Sequence, residues 1–421
     1  LLQFLFLRRR RRRTWRRQRM HAVCRKRQGL PYTPREPKGL ASNSAHLVGV
    51  EVKPNIQPQG SAELTAAYGS GAAPKLVRHI EGSGTDAVGS DAAVKRLKAL
   101  EQALDMMHGP AGLSCLLTAG IVPSLNTAAV KDPDVTIRRM ALVALGRVAR
   151  ERTARALMLE HDSCSALLQA VADPVLDVRL ACLQVVLQLA ATPLGTKALV
   201  ECHFVKTLVD RCRCTPDGGP PSPEVQAIAV TAMGRICQTD VGREEALGVG
   251  AVDVALKMLR SEHREVAYQA AFCLAVLTYE QQEKAQAWAD DVMTPLVQML
   301  LSGDHGLQTA ACALLMSMSN GTRFEDGRNA CKKAAVAAGA TRALAPLLQQ
   351  ALDLEVAQEL TNANAELAVY ACKCMASLSD LPEARKLMKR DLPVLRSLVL
   401  SSQAVLSKHA EIAIERITWT P

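Results

Sequence analysis

Residues Ile137–Ala149, with the sequence IRRMALVALGRVA, decide the fold of this chain. Their apolar residues recur three and four positions apart, which places them on one face of a helix. Ala141 stands at the centre of that face, and its small side chain lets a neighbouring helix approach closely. The stretch therefore predicts an amphipathic helix that packs against another helix.

The same template returns along the chain, and the small residue at its centre serves as a ruler. These ruler residues are Ala99, Ala141, Cys182, Ala229, Ala270, Ala311, Ala371 and Ala410, at steps of 42, 41, 47, 41, 41, 60 and 39 residues. Recurrence near 40 residues is typical of armadillo and HEAT proteins, in which no repeat buries its apolar face alone. We predict an all-α, armadillo/HEAT-like right-handed superhelical solenoid of about eight helical repeats.

Charge and turn residues divide the chain into a tail and a repeat body. Residues 1–38 hold 14 Lys and Arg against one Glu, so the rest carries −3 of the net charge of +10. We predict a disordered, Arg-rich and Pro-containing tail over residues 1–60, because a block of like charges repels itself. Residues 61–421 are the predicted solenoid, with insertions near residues 82–89, 214–223 and 320–364.

The basic tail has two interpretations. It is an arm that binds polyanions or directs nuclear import, or residues 1–30 do not belong to the native protein. Nucleic-acid binding is not expected of the nearly neutral repeat body, apart from a nonspecific contribution of the tail.

The sequence also argues against several other functions. No apolar run reaches the roughly 18 residues of a membrane span, so no membrane partner is expected. No motif of a serine hydrolase, zinc protease or kinase appears, which predicts a non-enzymatic protein with no cofactor and no small-molecule substrate. Cys202, His203, Cys212 and Cys214 match structural zinc spacing poorly. The Gly-rich residues 82–89 lack the Lys-Ser/Thr ending of a phosphate loop.

The third helix of each armadillo repeat lines a concave groove, into which the residues two and six positions after the ruler residue point. The candidate protein-binding residues at these positions are Arg147, Gln184, Gln188, Thr231, Arg235, Phe272, Lys373 and Arg416. Importin-alpha-type receptors place Trp and Asn there to hold basic peptides, and no repeat of this chain does. The arginines favour an acidic peptide instead, unless they are only solvated surface groups.

Two segments resemble one known family. Asn55–Leu76 contains NIQP and AAYGSGAAPKL, and Lys98–Leu125 contains the turn Met107–Pro110. Both are similar to the radial spoke head 14 family, armadillo-repeat proteins of motile cilia, although residues 82–89 and 214–223 look longer than the family pattern. The resemblance extends over most of residues 50–421. It implies a scaffold of the radial spoke in the ciliary or flagellar axoneme, with other spoke subunits as partners. The alternative is a soluble, cytoplasmic armadillo-type adaptor in signalling or transport.

Overall fold

The computed structural model describes residues 71–82, 90–278, 289–319 and 329–420. These residues form helices and no strand. A short 3₁₀ helix, Lys389–Asp391, joins the helices Pro382–Met388 and Leu392–Val399. The α-helices are α1 (Ala72–Glu81), α2 (Ser90–Met106), α3 (Pro110–Thr118), α4 (Ile121–Lys131), α5 (Val135–Val148), α6 (Arg152–Glu160), α7 (Ser163–Ala170), α8 (Leu176–Leu189), α9 (Pro193–Glu201), α10 (Phe204–Arg213), α11 (Pro223–Ile236), α12 (Asp240–Gly248), α13 (Ala251–Leu259), α14 (Arg264–Thr278), α15 (Ala289–Leu300), α16 (His305–Ser319), α17 (Asn329–Ala337), α18 (Ala340–Val356), α19 (Asn362–Leu378), α20 (Pro382–Met388), α21 (Leu392–Val399) and α22 (Ala404–Thr418).

The described helices form eight stacked units. Units 2 to 5, 7 and 8 each have a first, a second and a third helix, whereas α1 with α2 and α15 with α16 are the described helices of units 1 and 6. After α2, the third helix of each unit packs on the third helix of the preceding unit, through to α22. The ruler residues are all at most 3% exposed, because they lie where these helices meet. The predicted all-α armadillo-like solenoid is confirmed.

Side chains from the next first helix cap the ends of several third helices. The last carbonyls of a helix have no partner within it and need donors from elsewhere. Here the donor stands 14 residues after the ruler residue and the acceptor eight residues after it. The bonds run from Arg155 to Ala149 O (2.8 Å), from Thr196 to Ala190 O (3.2 Å), from Arg243 to Cys237 O (3.2 Å) and from Arg385 to Ser379 O (2.8 Å).

Glycine lets some first helices touch the backbone of the preceding third helix. A Cβ added at Gly195 would lie 2.2 Å from the carbonyl oxygen of Leu189, and one at Gly242 would lie 2.3 Å from that of Ile236. A Cβ at Gly112 would meet Met106 O at 2.2 Å. All three glycines stand 13 residues after a ruler residue, so this close contact is a repeated feature of the solenoid.

Arginines three residues before the ruler residue join the first three units. Arg96 Nε lies 3.0 Å from Asp132 Oδ2 in the next unit, and Arg138 Nε lies 2.7 Å from Asp173 Oδ2. Both aspartates precede a proline in the turn between a second and a third helix. Arg138 is 12% exposed and Asp173 9%, so this ion pair is largely shielded from water.

The predicted insertions have different outcomes. Residues 1–60 and 83–89 lie outside the described residues. Residues 214–222 form the loop between α10 and α11, where Pro223 begins the following helix. Within the stretch 320–364, residues 329–337 and 340–356 form α17 and the 17-residue α18, and its role as an insertion stays a prediction. Ala340, Leu344, Leu348 and Ala351 are buried at helical spacing along α18, so its polar residues are the outer face of a long second helix.

Candidate protein-binding surface

The candidate residues, each two or six positions after a ruler residue, lie along one side of the stacked third helices, which we call the third-helix face. They share this face because the third helices stack on one another from α2 to α22. Gln184 and Arg416 are exposed. The other candidates are partly exposed, namely Arg147, Gln188, Thr231, Arg235, Phe272 and Lys373. The structure thus brings the predicted residues onto a continuous row of helices.

Side chains six residues after the ruler residue bond to the backbone of the preceding third helix. Arg235 Nη1 donates to Leu187 O at 2.9 Å, and Arg147 Nη1 donates to Leu104 O at 3.4 Å. Ser317 Oγ and Ser377 Oγ donate to Ala275 O and Ser319 O at 2.6 and 2.9 Å. Each acceptor lies in the last turn of its helix, where carbonyls lack partners within the helix. These cross-unit bonds therefore hold neighbouring units together.

Arg147 and Arg235 keep N–H donors that can bind a ligand after making their cross-unit bonds. A guanidinium carries five N–H donors, and the cross-unit bond of each arginine engages Nη1 alone. Arg147 Nη1 also lies 2.9 Å from Nε2 of His108. Burial lowers the pKa of Arg235, which means that part of the hydration of its charge is already lost. An anion that reached Arg235 would restore some of that lost stabilisation.

The centre of the third-helix face is aromatic. The rings of Tyr268 and Phe272 meet edge to face, with centroids 4.9 Å apart. Both residues are partly exposed on α14, so the pair offers an apolar contact to a partner side chain. Tyr268 was not a candidate, although it stands one helical turn before Phe272 and that spacing predicts their contact. Thr231 uses its hydroxyl internally, donating to Ala227 O at 2.7 Å.

The third helices of the last two units carry Lys373 and Lys408. Lys373 Nζ lies 5.2 Å from the ring centroid of Tyr370, whose hydroxyl donates to Glu366 Oε1 at 2.7 Å. Burial lowers the pKa of Lys373. The pKa of His409 is lowered first by burial and then by the charges of Lys373 and Lys408. An acidic ligand at this end would relieve both effects, because it favours the protonated forms.

The third-helix face of the first unit carries the opposite charge. Glu101 and Asp105 stand two and six residues after Ala99, and both are exposed. They were not among the candidates, which began with the second unit, although the ruler gives their register directly. The third-helix face therefore begins acidic and carries its cationic candidates from Arg147 onward.

Within residues 71–82, 90–278, 289–319 and 329–420, no three His, Cys, Asp or Glu side chains are grouped to hold a metal ion. No single helix of these ranges is long and apolar enough to cross a membrane. Helices α3 and α4 reach that length and composition only as a pair bent by 80°.

Part of the chain is similar in sequence to a known protein. No family model matches the chain. Over 140 residues, or 33% of the chain, it is 26% identical to Radial spoke protein 14 of Chlamydomonas reinhardtii. The match covers 34% of that protein, so the chain spans about a third of the length of this curated relative.

Solved structures give a broader likeness. An engineered protein superposes with a TM-score of 0.66 at 23% identity, covering 82% of this chain and 78% of its own. A designed armadillo repeat protein in complex with the peptide (KR)4 superposes with a TM-score of 0.51 at 18% identity, covering 58% of this chain and 98% of its own. At these identities the likeness shows the armadillo fold alone.

Proposed function

We propose that this chain is a non-enzymatic scaffold that binds other proteins along the third-helix face. We further propose that it is a component of the radial spoke in the ciliary or flagellar axoneme, with other spoke subunits as its partners. The sequence match to Radial spoke protein 14 supports the place in the axoneme. The row of partly buried cationic side chains along stacked helices supports the binding role, and it is the observation that carries the proposal.

The chemistry of the face favours an acidic partner segment. The designed armadillo protein that superposes on this chain is in complex with a basic peptide, (KR)4. On this chain Arg147, Arg235 and Lys373 occupy the third-helix face, and they would repel such a peptide. A carboxylate can instead form charge-assisted hydrogen bonds with these groups, which are stronger than neutral ones.

The solenoid architecture suits a scaffold that bears load. Each unit contacts its neighbours through a third helix, and the cross-unit bonds of Arg235 and Ser317 tie adjacent third helices together. Because the repeats extend one after another, the same surface accommodates a long partner segment or several partners at once.

Fractionation of cilia tests the proposal with the full chain. We expect tagged wild-type protein to remain with axonemes after detergent extraction and a salt wash. The double variant Arg235→Gln, Lys373→Gln removes two cationic groups and should lower the retained fraction several-fold. Arg152→Gln is the matched control, because Arg152 is exposed on the first helix α6 and lies away from the third-helix face.

The outcomes separate the parts of the proposal. Recovery of the wild-type protein in the detergent-soluble fraction would rule out a spoke component and favour a soluble adaptor. Equal retention of the double variant and the wild type would remove the third-helix face from the mechanism. Circular dichroism of each purified variant checks that the fold is intact.

A further inference from the structure

The loop of residues 214–222 covers an arginine pair. Arg179 and Arg211 line one shallow surface cleft together with Thr215, Ser222, Pro216 and Pro221. Arg179 is 8% exposed. Nη1 of Arg211 is buried and has no hydrogen-bond partner within the described residues. Two cationic groups thus face one small space, and one of them has an unused buried donor.

The repeat register shows what the cleft lacks. Arg96 and Arg138, three residues before their ruler residues, pair with Asp132 and Asp173, which stand 36 and 35 residues further along the chain. Arg179 holds the same register, and the position 35 residues after it is Cys214.

Arg179 therefore lacks the carboxylate that its two predecessors have. Its Nη1 donates to the carbonyls of Asp173 and Pro174 at 2.8 and 2.7 Å. None of the described residues that line the cleft carries a carboxylate. Asp217 and Glu224 lie nearby in sequence but are exposed.

We propose that Ser222 is a phosphorylation site and that Arg179 and Arg211 receive its phosphoryl group. Ser222 lies in a surface loop and is followed by Pro223, a dipeptide that proline-directed protein kinases accept. In the transfer, the γ-phosphorus of ATP forms a bond to Ser222 Oγ while its bond to the bridging oxygen of ADP breaks. The hydroxyl proton passes to the catalytic base of the kinase.

Ser222 is suited to carry the phosphate because it caps a helix. Its Oγ accepts from the Val225 amide at 3.3 Å, at the N-terminus of α11. A phosphoryl group supplies acceptor oxygens at that position and adds a charge of about −1.5 to −2, which the helix dipole and facing arginines stabilise. It would also supply the anion that Arg179 lacks and an acceptor for Arg211 Nη1.

The other hydroxyl of the loop is already engaged in the turn. Thr215 also precedes a proline, but its Oγ1 accepts from the Gly219 amide at 2.9 Å. The Gly218 amide donates to Thr215 O at 3.0 Å. Thr215 therefore closes the loop, and modification there would open the turn.

The test uses the full chain, a proline-directed kinase with ATP, and mass spectrometry. We expect phosphate on Ser222. We expect the modified loop to be cut by subtilisin about tenfold more slowly than the unmodified loop, since charge-assisted bonds to arginine fix it in place. Arg211→Gln should remove most of this protection, and it should fold because Arg211 is partly exposed. Chain with phosphoserine introduced at position 222 during translation measures the protection without a kinase.

Thr192 is the matched control, because it also precedes a proline and caps a helix, accepting from the Gly195 amide at 3.3 Å. Phosphate at Thr192 or Thr215 with none at Ser222 would overturn the proposal. Equal cleavage of phosphorylated wild type and phosphorylated Arg211→Gln would overturn the role of the arginines. If Arg211→Gln weakens capture of a partner protein by the unphosphorylated chain, the cleft accepts a partner's acidic side chain instead, and the proposal is wrong.

Discussion

Replacing Gly195 by alanine tests the close contact between first and third helices. The new Cβ would lie 2.2 Å from the carbonyl oxygen of Leu189 and 2.8 Å from its carbonyl carbon. Carbon and oxygen atoms normally approach no closer than about 3.3 Å, so α9 must move away from α8 by about 1 Å. These two atoms belong to the backbone, and although Thr192 Oγ1 at 3.0 Å is a side-chain atom that can rotate away, they cannot.

The magnitude follows from two opposing effects. Overpacking in a tight contact costs about 1–3 kcal/mol, and the rigid acceptor places this site at the upper end. Alanine in place of glycine within a helix returns about 1 kcal/mol. We expect a net loss of about 2 kcal/mol in the free energy of unfolding, or a fall in the melting temperature of about 2–3 °C in a chain of this size.

Thermal unfolding measures the net effect, and hydrogen exchange at α9 locates it, since a solenoid can open in part without unfolding as a whole. Gly248→Ala is the matched control, because a Cβ there meets nothing within 4 Å and the residue ends helix α12. That variant should be neutral or slightly stabilised. If Gly195→Ala melts at or above the temperature of Gly248→Ala, the steric reasoning is refuted.

Three further predictions concern charged groups. Asp173→Asn leaves Arg138 without its carboxylate in a largely buried pair and should cost about 3 kcal/mol, seen as a lower urea midpoint; an unchanged midpoint would contradict it. Arg264 holds the pKa of Asp304 at about 2, below the unfolded value of about 3.9. The interaction of Asp304 with Arg264 therefore contributes to stability above pH 4, and this contribution is lost toward pH 2. Asp304→Asn should flatten the pH dependence of the free energy of unfolding in that window. Burial and lysine charge lower the pKa of His409, so as pH falls the imidazole takes up its proton more readily in the unfolded chain than in the folded one. The free energy of unfolding should therefore fall as pH drops below about 6.5. Equal melting curves of His409→Gln and wild type from pH 8 to 5 would refute this.

The periodic pattern predicted the third helices well because a long amphipathic helix leaves a strong trace in the sequence. The template Ile137–Ala149 falls on α5, Val135–Val148. The ruler residue Cys182 is fully buried, and its thiol donates to Leu167 O at 3.2 Å. Because each ruler residue must be buried against a neighbouring third helix, the template also predicts how neighbouring units align. The order in which the units stack could therefore be predicted from the same periodic pattern.

The cross-unit bonds could not be predicted, because their acceptors are backbone carbonyls. Every residue has a backbone carbonyl, so the sequence does not distinguish Leu187 and Ala275 as acceptors. Ser317 is a common, uncharged residue, and its type does not predict a bond to the neighbouring unit. The glycine contacts are different. Gly112, Gly195 and Gly242 share one offset from the ruler residue, and that regularity predicts a close backbone approach once the ruler is known.

The stretch 320–364 contains the long second helix α18, which its polar composition conceals. Its apolar residues on α18 keep helical spacing, which outweighs the exposed glutamines and acids. For the candidate site, the structure places the predicted residues on one face. Whether that face binds an acidic segment stays a prediction.

The two kinds of side chain in the cross-unit row differ in what they can offer a partner. A serine hydroxyl has one proton, which at Ser317 and Ser377 goes to a carbonyl. An arginine retains further donors after making the same bond, so Arg147 and Arg235, two units apart, are the points where a carboxylate can bind. Stacked helices lie about 10 Å apart and an extended chain advances about 3.3 Å per residue. The partner's two carboxylates should therefore stand about six residues apart. An array of acidic peptides with graded spacing tests this, and affinity that is independent of spacing would show that the two arginines do not act together.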